Sequence, residues 1–401
     1  MDNPAKKLPL EGIKVLAFTH AVMGPSAGLV LADLGAEVIH IEPPAGDMTR
    51  RLKGFGIGYF SFFNRNKKCL AVDLKAAEGR EIVIKLVEKA DVLIENFGPG
   101  TMDRLGYDYD SLSKINPRLI YCSLKGFLPG PYEKRVAMDE VVQMMGGLAF
   151  MTGPPGQPLR AGTSIIDISG GMFGAMGIIT ALYDREKSGQ GTFIKSALFE
   201  TTAFIMGQHM AYAALTEGPV PPMPARVSAW SVYSLFETKD GDQVFIGIIS
   251  EKHWQQFCEA FDRSDWFADE CLKTNNARIE QRDWFLPAVE DMIRQYTKQE
   301  IIDICDKAGI CFAPIARPED LFDDPQLNQG DFGLLETTFP TGEKTKMPRL
   351  PIQIGDYDLG KRSDPPATIG AHTREVLESI GYSSEFIREL ADKKIIAAMI
   401  K

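Results

Sequence analysis

Asp167 stands in the stretch Arg160-Ala-Gly-Thr-Ser-Ile-Ile-Asp-Ile-Ser-Gly171, after two isoleucines and ahead of a Gly/Met/Ala-rich run, Gly170 to Leu182. A carboxylate beside apolar residues is costly unless it is partnered. The run behind it predicts a buried helix, and a helix N-terminus offers backbone N–H groups and a dipole that favour an anion. Gly170, Gly171 and Gly174 let backbone or ligand come close. Two roles fit: a nucleophile that takes up an acyl group, or a structural N-cap aspartate. The stretch alone leaves both open.

The elements around it predict an α/β fold. Ile13–Phe18 is a short apolar run that suits a buried strand, Pro25 and Ser26 open a helix through Leu34, and Glu37–Glu42 is a second strand stopped by Pro43-Pro44. This is a βαβ unit, the start of a parallel doubly wound sheet. The first turn lacks G-x-G-x-x-G, so the unit carries no dinucleotide fingerprint even though Glu42 is placed where a ribose would be held. Tyr59–Lys68 interleaves aromatics with cations; such a segment can stack a base and hold phosphates, or form an aromatic core edge with a solvated basic turn. Further strands are expected at Leu70–Leu74, Asp91–Glu95, Leu119–Leu124 and Thr192–Ala197, with a helix over Glu78–Ala90. The loop after Glu95 (Asn96 to Gly106) forms a site wall if the sheet is parallel, since ligands bind beyond strand C-termini. Asp139 and Glu140 fall in the first turn of a helix opening at Met138, where acids are common for dipole reasons alone. The helix behind Asp167 reaches Lys187, and another runs from Leu198 to about Leu215. Gly218–Pro224 is a Pro-rich linker. Beyond it, strands at Ser231–Thr238 and Gln243–Ile249 flank a hairpin turn, and Trp254, Trp266 and Trp284 are expected in the core of a small α+β domain. Ile310–Ile315 and Leu350–Ile354 are expected strands, and Thr373–Ile380 and Ser384–Lys393 terminal helices.

The 401 residues suggest about two domains, and the net charge of −10 with no basic block argues against a nucleic-acid partner. Six cysteines show no C-x-x-C and five histidines no H-x-x-x-H, so no metal site is expected, and the thiols are expected reduced, as in the cytoplasm. The N-terminus MDNPAKKLPLEG has no signal-peptide core, and Met172–Leu182 is too short to span a bilayer.

Seven blocks in order, FTHAVMGP (18–25), VIHIEPPAGDMTR (38–50), YFSFFNRNKK (59–68), VDLK (72–75), ENFGPGTMDRLG (95–106), RAGTSIIDISGG (160–171) and AHTREVL (371–377), resemble the class III coenzyme A transferases, the formyl-CoA transferase and carnitine CoA-transferase family, which also contains acyl-CoA racemases. The resemblance implies that Asp167 is the nucleophile. It implies a Rossmann-like large domain from residues 1–217 and 326–401, a small α+β domain from 225–325, and two chains interlocked like links. Acyl-CoA and a small carboxylic acid are then the substrates, with no tightly bound cofactor. Ala21 is placed near the thioester end, Val72 and Lys75 by the adenosine, and Asn96, Phe97 and Arg104 along the nucleotide and pantetheine path. Arg135 is a looser CoA contact. Tyr59 matches an active-site tyrosine of the formyl-CoA branch. The racemase branch has a His where this chain has Met138, on the substrate side. Racemisation needs an acid/base group on each face of the α-carbon, which disfavours that alternative. A CoA-binding subunit of a hetero-oligomer is the other alternative. The first turn, Ala21-Val22-Met23, lacks the formyl branch's glutamine and is more apolar, which implies an acyl group larger than formyl.

The implied chemistry moves CoA between two acids through an aspartyl anhydride and an aspartyl–CoA thioester. Oxyanions are expected to be held by backbone N–H groups at the start of the Gly170–Gly174 helix. Ile165, Ile166, Met172 and Phe173 are expected to keep water out.

Overall fold

The computed structural model describes residues 7–226, 228–330 and 332–398. Residues 1–225 with 326–401 make one compact unit and 226–325 a second.

In the larger unit, strands β1 (Lys14–Phe18), β2 (Glu37–Glu42), β3 (Lys67–Val72), β4 (Val92–Glu95), β5 (Ile120–Lys125) and β6 (Phe193–Ala197) are parallel. Their near-continuous apolar runs are what a sheet covered on both faces requires. The sheet order is β12-β3-β2-β1-β4-β5-β6, with β12 (Ile396–Ala397) added antiparallel at the edge of β3. The order reverses between β1 and β4, the point where doubly wound sheets open a ligand crevice.

Helix α1 (Met23–Asp33) starts two residues before the expected Pro25, which lies in the first turn, where its missing N–H costs nothing. Helices α2 (Tyr59–Phe63), α3 (Ala77–Val87), α4 (Thr101–Leu105), α5 (Tyr109–Ile115), α6 (Asp139–Met145) and α7 (Leu148–Thr152) lead to α8 (Ile165–Ser188). At 24 residues, α8 is the one helix among the described residues long and apolar enough to cross a membrane. It is nonetheless a packing helix. A Cβ on Gly171 would lie 2.5 Å from the Met23 carbonyl, and one on Gly174 would lie 2.7 Å from Leu124. These glycines therefore serve close approach of α1 and β5, not of a ligand. The expected single helix after Leu198 is two, α9 (Leu198–Ile205) and α10 (Gly207–Leu215), broken at Met206-Gly207.

In the smaller unit, β7 (Tyr233–Glu237), β8 (Gln243–Gly247) and β9 (Cys311–Pro314) form an antiparallel sheet. Around it stand α11 (Glu251–Ala260), α12 (Ser264–Ala268), α13 (Asn275–Glu280), α14 (Arg282–Ile293) and α15 (Lys298–Ala308). Trp254 and Trp266 are core residues there, but Trp284 is 45% exposed, against expectation, and donates its indole N–H to Gln281.

Helix α16 (Pro325–Asn328) leads back into the large unit. A hairpin that the sequence did not suggest, β10 (Leu335–Thr338) with β11 (Lys344–Met347), follows, while Leu350–Ile354 forms no strand. Pro351 supplies no N–H for a ladder. Helices α17 (Thr373–Ser379) and α18 (Ser384–Asp392) then pack Val376, Leu377, Ile387 and Leu390 into the core beside β3.

Candidate active site

Beyond the C-terminal ends of β1 to β4 lies a cavity of about 350 Å³, walled by Thr19 and His20, by Glu42 to Met48, by Val72 to Lys75, and by Phe97 and Leu105. Val72 is fully buried and Lys75 sits exposed at the rim, its N–H on the Asp73 carboxylate. Three residue types that sequence reasoning left aside, Thr19, His20 and Asp47, line the same space. The His20 ring stacks on Phe97 at 5.7 Å, and burial lowers its pKa, which leaves it neutral near pH 7.

Asn96 does not face the cavity freely. Its amide clasps the first turn: His20 N donates to Asn96 Oδ1 and Asn96 Nδ2 donates to the His20 carbonyl, both at 2.9 Å. The next residue, Ala21, has φ +59°, a left-handed conformation that costs a residue with a side chain on the order of 1 kcal/mol. A Cβ at Gly24 would come within 2.6 Å of Thr19, so only glycine closes this turn. Arg104 is exposed and donates to Thr101 Oγ1, with its neighbour Leu105 on the cavity wall. Arg135 lies outside that wall, its guanidinium 4.1 Å from the Tyr132 ring centre.

The same turn also meets the start of α8 through Ile168. Val22, Leu29 and Phe63 form a small cluster on which Tyr59, Phe62 and Ile168 pack. The Tyr59 hydroxyl lies 3.4 Å from Ser164 Oγ, and Phe55 meets Tyr59 edge-on. Val22 of the first turn, Tyr59 of α2 and Ile168, the residue after Asp167, therefore share one apolar cluster.

Asp167 is the third residue of α8, not its N-cap. The N-cap is Ser164, whose side chain makes no capping bond. The cap comes from another helix. Asp139 Oδ2 accepts the N–H of Ile166 at 2.9 Å and of Asp167 at 3.1 Å. Its Oδ1 accepts Gln143 Nε2 at 2.5 Å and Arg160 Nη2 at 3.4 Å, and Gln143 Oε1 accepts the Ala161 N–H. Asp139 is thus a tertiary cap, not the dipole acid its position suggested. Met138, exposed, stands directly before it.

Two consequences follow. The N–H groups of Ile166 and Asp167 are bound to Asp139, so these two are not free to serve as oxyanion donors; the paired hydroxyls of Tyr59 and Ser164 lie at the same helix start. The Asp167 carboxyl accepts no hydrogen bond among the described residues, and burial pushes it up to about 7, with the Asp139 charge adding and Arg160 opposing.

A second polar cluster lies between β2, β3 and the loop after β2. His40, Glu42 and Cys69 bring donor atoms within 4.8 Å of one another, as a metal site would. A cation is already there: Arg50 donates to Glu42 Oε2 at 2.8 Å, to Glu42 Oε1 at 3.0 Å and to Cys69 Sγ at 3.3 Å. A larger cavity of about 450 Å³ opens at β4 to β6. Its wall sets Glu95, Asp103, Asp108, Asp110 and Glu133 against Lys125, Lys134 and Lys195, an acid excess that does not suit an anion.

A parallel sheet in this order, a crevice at its switch point and a single raised carboxylate at a helix start describe an α/β enzyme for an acyl or nucleotide-bearing substrate. Residues 10–373 match the CoA-transferase family III model, and the chain belongs to that family. It is 35% identical over 366 residues to an acetyl-CoA:oxalate CoA-transferase of Acetobacter aceti, covering 89% of this chain and 92% of that one. It is 29% identical over 396 residues to the succinyl-CoA:glutarate CoA-transferase of Homo sapiens, covering 97% and 90%. The crystal structure of a CAIB/BAIF family protein from Brucella suis superposes with a TM-score of 0.81 at 32% identity, over 94% of this chain and 100% of that one.

Proposed function

We propose that this CoA-transferase moves CoA from an acyl-CoA to a carboxylic acid by covalent catalysis at Asp167. The observation that carries the reading is a raised carboxylate on the first turn of α8 that accepts no hydrogen bond among the described residues, next to Ile168, which packs on Val22 of the β1–α1 turn. The nucleotide end of CoA lies by Val72, Lys75 and Phe97, and pantetheine runs past Ala21 towards Asp167.

Asp167 attacks the thioester carbonyl carbon; a C–O bond forms, the C–S bond breaks and CoA leaves as thiolate. The thiolate attacks the Asp167 carbonyl carbon of the mixed anhydride, and the donor acid departs as carboxylate. The acceptor carboxylate attacks the aspartyl–CoA thioester and expels the thiolate, which then takes the acceptor's acyl group and frees Asp167. No ATP is needed because one thioester replaces another. A carboxylate with a raised pKa is the more basic nucleophile. Tyr59 and Ser164 hydroxyls serve the oxyanions.

A racemase needs a second free acid/base group. Asp139 has both oxygens committed to donors and Met138 has no proton to give, so transfer is the better account. The apolar first turn favours an acyl group larger than formyl, with succinyl-CoA the donor to try first. The working form is an interlocked homodimer, or a heteromer with a paralogous chain. In support, Met172, Met176, Ile179 and Tyr183 form an exposed apolar stripe along α8. Six free thiols agree with a cytoplasmic setting.

The test is Asp167→Ala, with succinyl-CoA and a panel of acids. Transfer should vanish while CoA binding stays within a few-fold of wild type, and hydroxylamine trapping should mark Asp167. Appreciable turnover by the variant overturns the assignment. Solvent deuterium entering the α-carbon without any acceptor acid would favour the racemase.

A further inference from the structure

We propose that Asp139 is a positioning residue whose negative charge, clamped onto the start of α8, drives the covalent loading of Asp167 by making the unloaded carboxylate the costly state. The inference rests on Asp167 being the loaded residue.

The geometry is unusual in one respect. A helix N-terminus ordinarily stabilises a carboxylate in its first turn through its free N–H groups. Here Asp139 has taken two of those groups, so the help that Asp167 would draw from the helix is spent on a second acid. That acid cannot move away. Oδ2 is fixed by the N–H groups of Ile166 and Asp167, and Oδ1 by Gln143, whose own carbonyl is fixed by Ala161. Every contact made to Asp139 is a donor, which suits a carboxylate.

Besides Asp139, one charged group acts on Asp167 among the described residues. Arg160, on the segment before α8, is the one cation, but it is divided: Nη2 lies 3.4 Å from Asp139 and Nη1 lies 3.7 Å from Glu140 of α6. Tyr59 of α2 reaches it only through Ser164. Near neutral pH two acids in contact with one helix start therefore share half a guanidinium.

Acylation removes exactly one of those charges. An anhydride or a thioester on Asp167 is neutral; the negative charge passes to the CoA thiolate and then to the donor carboxylate, and it is gone from the helix start once that acid departs. Each loaded intermediate is stabilised relative to free enzyme by the repulsion it relieves. Burial is the largest cause that pushes the Asp167 carboxyl up to about 7, and the Asp139 repulsion adds to it.

Asp139→Asn removes the charge while its amide oxygen can still accept the N–H groups of Ile166 and Asp167, at the cost of an amide NH₂ facing the Gln143 and Arg160 donors. The measurement is the fraction of Asp167 loaded at equilibrium with acyl-CoA, by intact mass from pH 5.5 to 9, together with CoA affinity. The loaded-to-free ratio at pH 8 should fall roughly tenfold. The pH midpoint of loading rate should fall by about one unit, and CoA affinity should hold within a few-fold. Arg160→Gln should move the midpoint the other way, and this arm stands even if Asp139→Asn does not fold. A midpoint that is unmoved in Asp139→Asn, or that fails to rise in Arg160→Gln, overturns the proposal. If wild-type protein never takes up CoA mass from any acyl-CoA, the nucleophile assignment has failed instead. Carbodiimide labelling of Asp167, which needs the protonated acid, then still reads the charge coupling through the same two midpoints.

Discussion

The large unit holds two clusters of buried carboxylates that are built on opposite plans. At the end of β2, Glu42 accepts from Arg50, from the Cys69 thiol, from Asp47 N–H and from Gly370 N–H. Burial alone would raise its pKa; the bonds from Arg50 and Cys69 outweigh burial and hold it below the usual range. Asp47 behaves alike: burial is outweighed by His40 and by the N–H and O–H of Thr49, and its pKa falls to about 2. Nearby, Arg65 grips Asp33, and Lys67 donates to the Pro25 carbonyl and to Asn64. At the start of α8 the opposite holds. Asp139 collects four donors, and Asp167 is left with none and with a like charge as neighbour. The first cluster ties β2 to the returning C-terminal segment, and its carboxylates Glu42, Asp47 and Asp33 all accept donors. The second is incomplete, and on the proposed mechanism the missing donors leave the Asp167 carboxylate available as a nucleophile.

The largest test of this contrast is at Glu42. Arg50→Met leaves a buried carboxylate without its cation, and breaking such a pair costs about 3–5 kcal/mol. Urea unfolding of the variant should show a loss of that order, with weakened protection of the Gly370–Thr373 segment in hydrogen exchange. A loss below about 1 kcal/mol would mean that Glu42 was held by its other donors and that the pairing with Arg50 is incidental.

A smaller effect of opposite sign is expected at the other cluster. Asp167 has a folded pKa of about 7 against an ordinary 3.8. A raised acid favours folding below about pH 4, and that contribution is lost as pH climbs through about 7. Asp167→Asn should therefore be more stable than wild type at pH 8, by on the order of 2 kcal/mol, while inactive. At pH 4 the two should converge. Asp47 runs the other way: its contribution is present above about pH 4 and disappears as pH falls towards 2, so the acid limb of unfolding should survive unchanged in Asp167→Asn. An equal gain at both pH values would show that the side chain's packing, not its charge, is at issue.

These two clusters were unequally legible in the sequence. The strands that carry the first, Val38–Ile41 and Leu70–Val72, announce themselves as apolar runs because both faces of a parallel strand are covered. Yet the charges on them did not: Lys67 was readable as part of a solvated basic turn and is buried, because one partner, the Pro25 carbonyl, arrives through tertiary packing while the other, Asn64, is local. The polar hairpin β10–β11 was missed because Leu335-Glu-Thr-Thr and Lys344-Thr-Lys-Met have little apolar alternation to show. Asp167 was legible because a lone acid among isoleucines is locally anomalous, and the family blocks then implied the role proposed for it. Asp139 was not, since its partners lie 27 and 28 positions downstream and an acid in a first turn has an ordinary local explanation. His20 and Thr19 carried no signal beyond their place in the first turn.

The smallest predicted effect is the sharpest test of who caps α8. Ser164 occupies the N-cap and is the residue type that N-caps favour, and replacing a working cap by alanine usually costs about 1 kcal/mol. Here the donors that Ser164 would serve are bound to Asp139, and Ser164 Oγ is turned to Tyr59 instead. Ser164→Ala should therefore change stability by no more than about 0.5 kcal/mol, within the range of a neutral substitution. Its cost should appear in turnover, as a fall in kcat with little change in KM for acyl-CoA, because one hydroxyl near the developing oxyanion has gone. A stability loss near that of an ordinary cap would return the helix start to Ser164, and with it the N–H groups that Asp139 is held to have taken from Asp167.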